Sequence, residues 1–251
     1  MSVFMIKYGK KEHLKQIIDG KIRFSPSQTY ISMEKELHNK GQGDILEGKM
    51  KLKATRVQLC DFETNELKYV LPESELVIGV PDVNNMPIFC LSEYGIEYTA
   101  DYIDSSNYKI KIPKEMIDSI KNDFNDATHA LIMLEPEKFI NSVLDIDSDV
   151  IHAGIRYYDY SINPLQMYMY LTTGEENVVA NNTLSFTDDV KYRLLLCKDT
   201  EFSNQNEHRF KKTKEIVKEA KFYDINFNTK YLLVDIDALK HSIDVSDILN
   251  S

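Results

Sequence analysis

The sequence predicts a single α+β domain spanning residues 1–251. The 251 residues are 43% hydrophobic and 28% charged, which is enough apolar material for one sizeable core. Strand-like and helix-like segments are mixed along the chain, without the regular alternation that is typical of a doubly wound parallel sheet. The sequence also contains no internal repeat, low-complexity tract or linker rich in Pro, Gly and Ser. One α+β domain is therefore the simplest prediction.

Hydrophobic periodicity predicts the order of the elements. Alternating or continuous apolar runs predict strands at 3–9, 21–27, 49–62, 75–80, 86–94, 127–135, 150–160, 207–213 and within 220–237. Apolar residues at helical spacing predict helices at 10–20, 29–40, 112–124 and 136–145, with a terminal helical turn within 238–251. Residues 41–48 predict a loop that contains three glycines, and residues 189–198 fit either a strand or a helix.

The composition argues against a membrane or secreted protein. No stretch approaches eighteen uninterrupted apolar residues, and the N-terminal MSVFMIKYGKKEH lacks the apolar core of a signal peptide. Cys60, Cys90 and Cys197 are widely scattered, so we expect them to be buried, reduced thiols in a cytoplasmic protein. Because Cys and His do not occur at metal-ligand spacing, no metal site is predicted.

The charge is unevenly distributed. Residues 1–60 carry 12 Lys/Arg and 6 Asp/Glu, although the whole chain has a net charge of −10. A second basic group comprises Arg209, Lys211, Lys212, Lys214, Lys218 and Lys221. If the fold brings both groups together, they form one positive cleft; otherwise they are ordinary solvated faces. The negative total argues against a long nucleic-acid groove but leaves a short single-stranded substrate open.

The segment FSNQNEHRF, residues 202–210, contains the most informative pattern. Gln205, Glu207 and Arg209 stand two residues apart, so an extended strand would place their side chains on one face. Asn206 and His208 would then point the other way. Such a row of polar groups is either a solvated strand or the floor of a site.

The order of several segments resembles a group of bacterial and phage proteins, mostly of unknown function. In that group a G-x-(I/L)-x-F strand follows the first helix, a GD-x-x-EG loop comes next, and a K-x-x-x-(F/Y)-x-x-Q-x-E-x-R segment occurs late. The chain matches with GKIRF (20–24), GDILEG (43–48) and KDTEFSNQNEHR (198–209). This layout is similar to the ADP-ribosyltransferase fold of bacterial toxins, in which a split, strongly curved sheet with flanking helices surrounds a cleft.

The resemblance implies a function as well as a fold. It implies a toxin or effector of bacteria–phage conflict that transfers ADP-ribose from NAD to a protein or a short nucleic acid, with an antitoxin or a host protein as a possible partner. By this resemblance Glu207 and Gln205 are the catalytic residues, and Ser92 matches the serine of the central strand. Lys7 and Tyr8 stand where related toxins have a basic residue on the first strand.

The chemistry of these residue types supports a site without the resemblance. Breaking a nicotinamide–ribose bond builds positive charge on the sugar, which a carboxylate such as Glu207 stabilises. Gln205 can hydrogen-bond the acceptor group. Arg209 can either hold a pyrophosphate or pair with Glu207, and Arg23 either meets a phosphate or is exposed. We therefore expect Gln205, Glu207 and Arg209 to share one cleft with the first strand around residues 7–8.

Two alternatives remain open at this stage. The same cleft could belong to a non-catalytic module that binds a nucleotide, a nucleic acid or a protein, for example a phage-encoded inhibitor of a host defence protein. Asp44 and Glu47 could ligate a metal or line the cleft, or they could lie in a surface loop in which Asp44 caps a turn. His152 fits a core or strand-edge position better than a catalytic base.

Overall fold

A mostly antiparallel β-sheet with helices on both faces organises the chain, as seen in a computed structural model that describes residues 2–37, 42–61, 63–163, 165–172 and 188–251. The parts of the predicted helix, loop and strand that fall on residues 38–41 and 62 lie outside the described residues. No helix within the described ranges is long and apolar enough to cross a membrane.

The strands are β1 (Phe4–Gly9), β2 (Lys21–Pro26), β3 (Lys49–Ala54), β4 (Val57–Cys60), β5 (Leu67–Leu71), β6 (Ser74–Gly79), β7 (Pro87–Tyr94), β8 (Thr99–Asp104), β9 (Asn107–Ile110), β10 (His129–Met133), β11 (Val150–Gly154), β12 (Arg156–Tyr158), β13 (Cys197–Asp199), β14 (Glu207–Lys212), β15 (Lys221–Asp224), β16 (Tyr231–Asp235) and β17 (Ile243–Asp244). The α-helices are α1 (Lys11–Ile18), α2 (Gln28–Leu37), α3 (Lys114–Asp123), α4 (Pro136–Leu144), α5 (Leu165–Thr172), α6 (Asp188–Leu194) and α7 (Ser246–Leu249).

The main sheet has the strand order β11-β14-β7-β1-β10-β16, and all of these neighbours pair antiparallel. Strand β7 forks on its β1 side. Its C-terminal end pairs β1 through Ser92 and Ile6, whereas its N-terminal end pairs β2 through Ile88 and Ser25. The middle of β7 therefore has no ladder partner on that side, and a cleft opens there.

Apolar side chains fill both faces of the sheet. Helices α1 and α4 cover one face, where Leu14 and Phe139 pack in one buried cluster with Phe89 and Phe210. Helix α3 covers part of the other face, and α5 and α6 cover another part of it in a separate cluster. The polar groups of the cleft lie at the sheet between these clusters, so the cores hold the site from several sides.

The predicted α+β class is confirmed, whereas the specific likeness to ADP-ribosyltransferases stays a prediction. Most elements lie where periodicity placed them, and residues 189–198 comprise nearly all of α6 and the first part of β13. The strands predicted at 49–62 and 150–160 are each divided in two, and the β8–β9 hairpin was not predicted. The extended conformation predicted over residues 205–209 is wrong at its start, because β14 begins at Glu207.

Candidate functional site

The fork between β1, β2 and β7 opens into a cleft of about 340 Å³. Helices α1 and α2 and strands β13 and β14 complete its walls. The seven site residues predicted from the sequence all line it, namely Lys7, Tyr8, Arg23, Ser92, Gln205, Glu207 and Arg209. The fold therefore brings together positions that are up to 202 residues apart in the chain.

Glu207 is a buried carboxylate between two cations, with 7% of its surface exposed. Its Oε1 accepts hydrogen bonds from Arg209 Nε at 2.9 Å and Nη2 at 2.6 Å, and its Oε2 accepts one from Lys198 Nζ at 2.8 Å. Burial alone would raise the pKa of the Glu207 carboxyl, but the charges of Arg209 and Lys198 hold that pKa well below its usual range. Glu207 is therefore an anion at any physiological pH.

Arg209 serves this carboxylate and not an external ligand. Its five N–H groups donate to the carboxylates of Glu207 and Glu47 and to the main-chain oxygen of Leu195. Only 1% of its surface is exposed. The expectation that Arg209 binds a cofactor pyrophosphate is therefore corrected, since no donor is left for it. Its other predicted role, pairing with Glu207 and fixing its rotamer, matches the geometry.

The GDILEG segment supplies Glu47 through a tight turn. Asp44 Oδ1 accepts the Leu46 N–H at 2.8 Å, and the Asp44 carbonyl accepts the Glu47 N–H at 3.1 Å. Gly48 follows with φ +64°, and a Cβ there would lie 2.5 Å from Val83 Cγ1, so only glycine fits. Asp44 thus caps a turn, but in a buried loop and not at the surface.

The described residues contain no cluster of three or more His, Cys, Asp or Glu side chains that could hold a metal ion. Asp44 and Glu47 instead belong to the charge network around Arg209. Burial and the neighbouring Glu47 raise the pKa of the Asp44 carboxyl to about 7. The metal interpretation of this loop therefore has no support in the geometry.

Gln205 joins the site by a route that the strand pattern did not predict. It ends a 3-10 helix, Thr200–Gln205, and Asn206 then adopts the left-handed conformation with φ +43°. Gln205 Oε1 nevertheless accepts a hydrogen bond from Lys198 Nζ at 3.2 Å, and its Nε2 donates to Asp123 at 3.1 Å. Lys198 therefore connects Gln205 with Glu207.

Lys198 and Glu47 are the site residues that sequence reasoning missed or left open. Lys198 lies on the short strand β13 behind the apolar run LLLC, and only 5% of its surface is exposed. A lysine directly after a buried run and within the late K-x-x-x-F-x-x-Q-x-E-x-R pattern was the available signal. Its partner could not be read from the sequence, because Glu207 lies nine positions away across a helix and a turn.

Lys7 lies where β1 and β7 separate. Its ammonium group donates a hydrogen bond to the Cys90 carbonyl, one of the main-chain acceptors that the fork leaves without a ladder partner. Burial lowers the pKa of Lys7 from its usual value, and the nearby Cys90 and Glu207 oppose this. Lys7 therefore closes the sheet at the fork and also lines the cleft.

Tyr8 and Ser92 form a hydroxyl-lined part of the wall. Tyr8 donates to or accepts from the Tyr94 hydroxyl at 2.7 Å, and its ring stacks on Phe124 with centroids 6.2 Å apart. Ser92 is buried and stands opposite Glu207 in the β7–β14 ladder. Tyr94 and Phe124 thus hold Tyr8 in the wall, and the ladder places Ser92 beside Glu207.

The opposite wall carries cations that are not neutralised. On β2, Lys21 and Arg23 are exposed while Ile22 and Phe24 are buried, as the period of a strand requires. Lys21 and Arg23 make no side-chain hydrogen bond or ion pair with any described residue, and both line the cleft together with Ser25. Arg23 is therefore exposed at the cleft, and its role in binding a phosphate stays a prediction.

Of the basic group between residues 209 and 221, Arg209 is the member that lines the cleft, and its charge is already paired. Lys211 is buried and donates to the Tyr192 carbonyl, and Lys212 is paired with Asp147 and Asp149. The positive side of the cleft comes instead from the first 25 residues of the chain.

The prediction that all three cysteines are buried is corrected, because Cys60 is exposed and Cys90 is half-buried.

Asn206 and His208 point away from the cleft, as predicted. The Asn206 amide donates to the Tyr98 hydroxyl at 3.0 Å, and His208 contacts Glu93 and His152. His152 lies on the edge strand β11, in agreement with the strand-edge position expected for it.

Comparison of the chain with models of known protein families, with curated proteins and with solved structures found no match. The geometry itself defines a cleft with two chemically different walls. One wall presents an anionic carboxylate, and the other presents two cations on a strand that have no ion-pair partner among the described residues. Such an arrangement suits a ligand that carries phosphate at one end and develops positive charge at the other.

Proposed function

We propose that the protein is an ADP-ribosyltransferase-like toxin or effector of bacteria–phage conflict that uses NAD and transfers ADP-ribose to a protein or nucleic acid. One observation carries the proposal. The buried, ionised Glu207 faces the same cleft as Lys21 and Arg23, two cations that make no ion pair with a described residue. A dinucleotide whose ribose becomes cationic during reaction needs both features.

Glu207 acts in this proposal as an electrostatic stabiliser. The nicotinamide–ribose bond breaks through an oxocarbenium-like transition state, and a fixed negative charge lowers the energy of that state. Because Arg209 and Lys198 keep its pKa low, Glu207 does not hold a proton near neutral pH and is poorly suited to be a general acid. Gln205, linked to it through Lys198, positions the acceptor side.

Lys21 and Arg23 bind the phosphates of NAD in this proposal. An exposed guanidinium without an internal partner can form a bidentate contact with a phosphate, and the neighbouring ammonium adds a point charge. The rings of Tyr30, Phe89 and Phe222 also line the cleft and offer stacking surfaces for a base. The cleft volume of about 340 Å³ lies within the range of small-molecule sites.

A second candidate is a binding module that holds a nucleotide without transferring any group. The contacts that Glu207 already makes favour this binding module. Its Oε1 accepts two hydrogen bonds from Arg209, and its Oε2 accepts one from Lys198. The Cys90 thiol also contacts the carboxylate. Little acceptor capacity remains for a ribose hydroxyl. A protein that inhibits a host defence protein could use the cleft in this way.

Incubation with labelled NAD and a cell lysate, alongside calorimetric NAD titration of the purified protein, tests both candidates. Binding with label transfer supports the enzyme, and treatment of the product with protease or nuclease identifies the acceptor class. Binding without transfer supports the module. If neither binding nor transfer occurs at millimolar NAD, the NAD proposal is wrong.

Arg23→Gln is the matched probe of the proposed phosphate wall. It removes an exposed cation without breaking an internal contact, so the fold is retained. Arg56→Gln is its control, because Arg56 is also exposed and lies outside the cleft. Loss of NAD binding in Arg23→Gln alone assigns the phosphates to β2, whereas equal binding in both variants moves them elsewhere.

A further inference from the structure

A cluster of titratable side chains lies on the side of β14 that faces away from the cleft. His208 on β14 contacts the Glu93 carboxylate on β7 through Nδ1, and its Nε2 lies 3.0 Å from His152 Nδ1 on β11. The two imidazole rings are stacked with centroids 5.1 Å apart. These three side chains thus link the three adjacent strands β11, β14 and β7, in addition to the main-chain ladders between them.

A hydrogen bond between two imidazoles requires one nitrogen to donate and the other to accept. If His208 carries a proton on each nitrogen, it donates to Glu93 and to a neutral His152. If His208 is neutral with its proton on Nδ1, it donates to Glu93 and accepts from the Nδ1–H of a neutral His152. The bond is lost only when both rings carry two protons, because both facing nitrogens are then donors and two stacked imidazolium ions repel each other.

The surroundings of His152 oppose its protonation only in part. Burial and then the neighbouring His208 lower the pKa of His152, while Glu137 on α4 and Glu93 on β7 act in the opposite direction. The His152 side chain is still exposed, so it can exchange protons with solvent directly. The ring of Phe210 lies on its remaining side, with centroids 5.5 Å apart, and carries no charge.

Strand β11 is an edge strand and depends on β14 for its pairing. The residues just after it support the site, because the Ile155 N–H donates to the Glu207 carbonyl and the Tyr157 hydroxyl accepts the Glu207 N–H. A charge that loosens β11 would therefore release two main-chain contacts of the residue that holds the cleft carboxylate.

We propose that His152, His208 and Glu93 form a proton-sensitive latch that fastens edge strand β11 to the sheet and opens when a second proton enters the histidine pair. Mild acid then weakens β11 and the main-chain support of Glu207, whereas neutral pH closes the latch. The device does not depend on which ligand occupies the cleft.

The direction with pH follows from proton linkage. A histidine whose pKa is lower in the folded protein binds more protons in the unfolded chain, so stability is full above the unfolded value near 6.5 and declines as the pH falls below it. The decline ends once the pH has passed the folded pKa. The sensitive window therefore lies just below neutrality.

Hydrogen exchange of the backbone amides between pH 7.5 and 5.5, corrected for the intrinsic pH dependence of exchange, tests the latch. We expect protection of residues 150–154 to fall by at most about tenfold, the ceiling that one histidine sets by linkage at pH 5.5. Protection of the interior strand β10 should be unchanged. In His152→Gln this pH response should disappear. His241→Gln, a change at an exposed histidine far from the latch, should respond like the wild type. A wild type without the response, or a His152→Gln variant that retains it, overturns the proposal.

A second measurement on the unaltered protein covers the case in which His152→Gln does not fold. In an NMR titration the ring resonances of His152 should change between pH 7.5 and 5.5 together with the amide resonances of residues 150–154. A His152 ring that titrates without any change in those amides would also overturn the latch.

Discussion

The two walls of the cleft differ in how their charges are satisfied. The first wall, named the β14 wall, consists of Glu207 and Arg209 on β14 and Lys198 on β13. These side chains are nearly inaccessible and are paired with one another and with Glu47. On the β2 wall, Lys21 and Arg23 are exposed and make no ion pair with a described residue. The cations of the β14 wall therefore neutralise buried carboxylates, whereas the cations of the β2 wall are exposed at the cleft.

The difference separates residues that maintain the site from residues that can meet a ligand. A buried ion pair is costly to break, because removing one partner leaves the other charged and desolvated. An exposed, unpaired cation can be changed with little effect on folding, and its charge remains available for an anion. A change on the β14 wall thus affects stability first, whereas a change on the β2 wall affects binding first.

The largest effect is expected from Glu207→Gln. This change leaves Arg209 and Lys198 buried with only one full carboxylate partner, so we expect a loss of about 3–5 kcal/mol in the free energy of unfolding. Denaturant unfolding measures it. Glu73→Gln, at an exposed position, should change stability by less than about 0.5 kcal/mol. Equal stability of the two variants would show that the ion pairs of Glu207 do not stabilise the fold. Loss of ADP-ribose transfer in Glu207→Gln must be measured on the folded fraction of that variant.

The next largest effect is expected from Gly48→Ala. An alanine at this position would have to keep a positive φ, and its methyl group would lie 2.5 Å from Val83 Cγ1. We therefore expect the free energy of unfolding to fall by roughly 2–4 kcal/mol. Thermal or denaturant unfolding provides the measurement. Gly154→Ala is the control, since its added methyl meets only an ordinary contact at 3.7 Å. If both variants unfold alike, the GDILEG turn does not depend on Gly48.

The β2 wall should respond in binding and not in folding. The double change of Lys21→Gln and Arg23→Gln removes two exposed cations, and we expect NAD affinity to fall by about 10- to 100-fold, the equivalent of one or two charge-assisted hydrogen bonds. Calorimetric titration measures the affinity, and unfolding should be unchanged. A marked loss of stability with intact affinity would reverse the roles assigned to the two walls.

The effect that is smallest within any one pH unit is a pH dependence in the charge network around Arg209, because it is spread over several pH units. Burial and Glu47 raise the pKa of Asp44 from 3.8 to about 7. The folded protein therefore keeps the Asp44 proton to a higher pH than the unfolded chain does. Stability from this group is therefore full below about pH 4 and is lost as the pH rises toward 7, by at most about 1.4 kcal/mol per pH unit. Asp44→Asn should flatten that slope. A wild type and variant with parallel stability curves between pH 5 and 8 would contradict the raised pKa.

Local patterns predicted much of the fold because local sequence decides much of it. In helix α3, Ile117 and Ile120 fall on the buried side, and Pro113 stands immediately before the first turn. The glycine that was expected to end the first helix is Gly20, which has φ +82° and leaves no room for a Cβ beside the Ile225 carbonyl. Periodicity and glycine placement act over a few residues, so both can be read directly.

The start of β14 could not be read in this way. Alternation predicted one extended stretch from Gln205 to Arg209, yet the chain turns at Asn206, whose φ is +43°. Asparagine adopts the left-handed conformation more readily than most residues, but the type of residue alone does not require it. The turn lets Gln205 reach Lys198 and Asp123, contacts that exist only once β13 and α3 are in place.

The sequence by itself determined the α+β class, most helices and strands, the grouping of Lys7, Ser92, Gln205 and Glu207 in one cleft, and the direction in which His208 points. Only the tertiary structure decided which charges are neutralised. Arg209 donates to Glu47 across 162 positions and also to Glu207 and Leu195, so it has no donor left. Arg23 makes no ion pair with a described residue. The physical reason is that the effect of a charge depends on distance and burial, and both are set by where distant segments of the chain pack together.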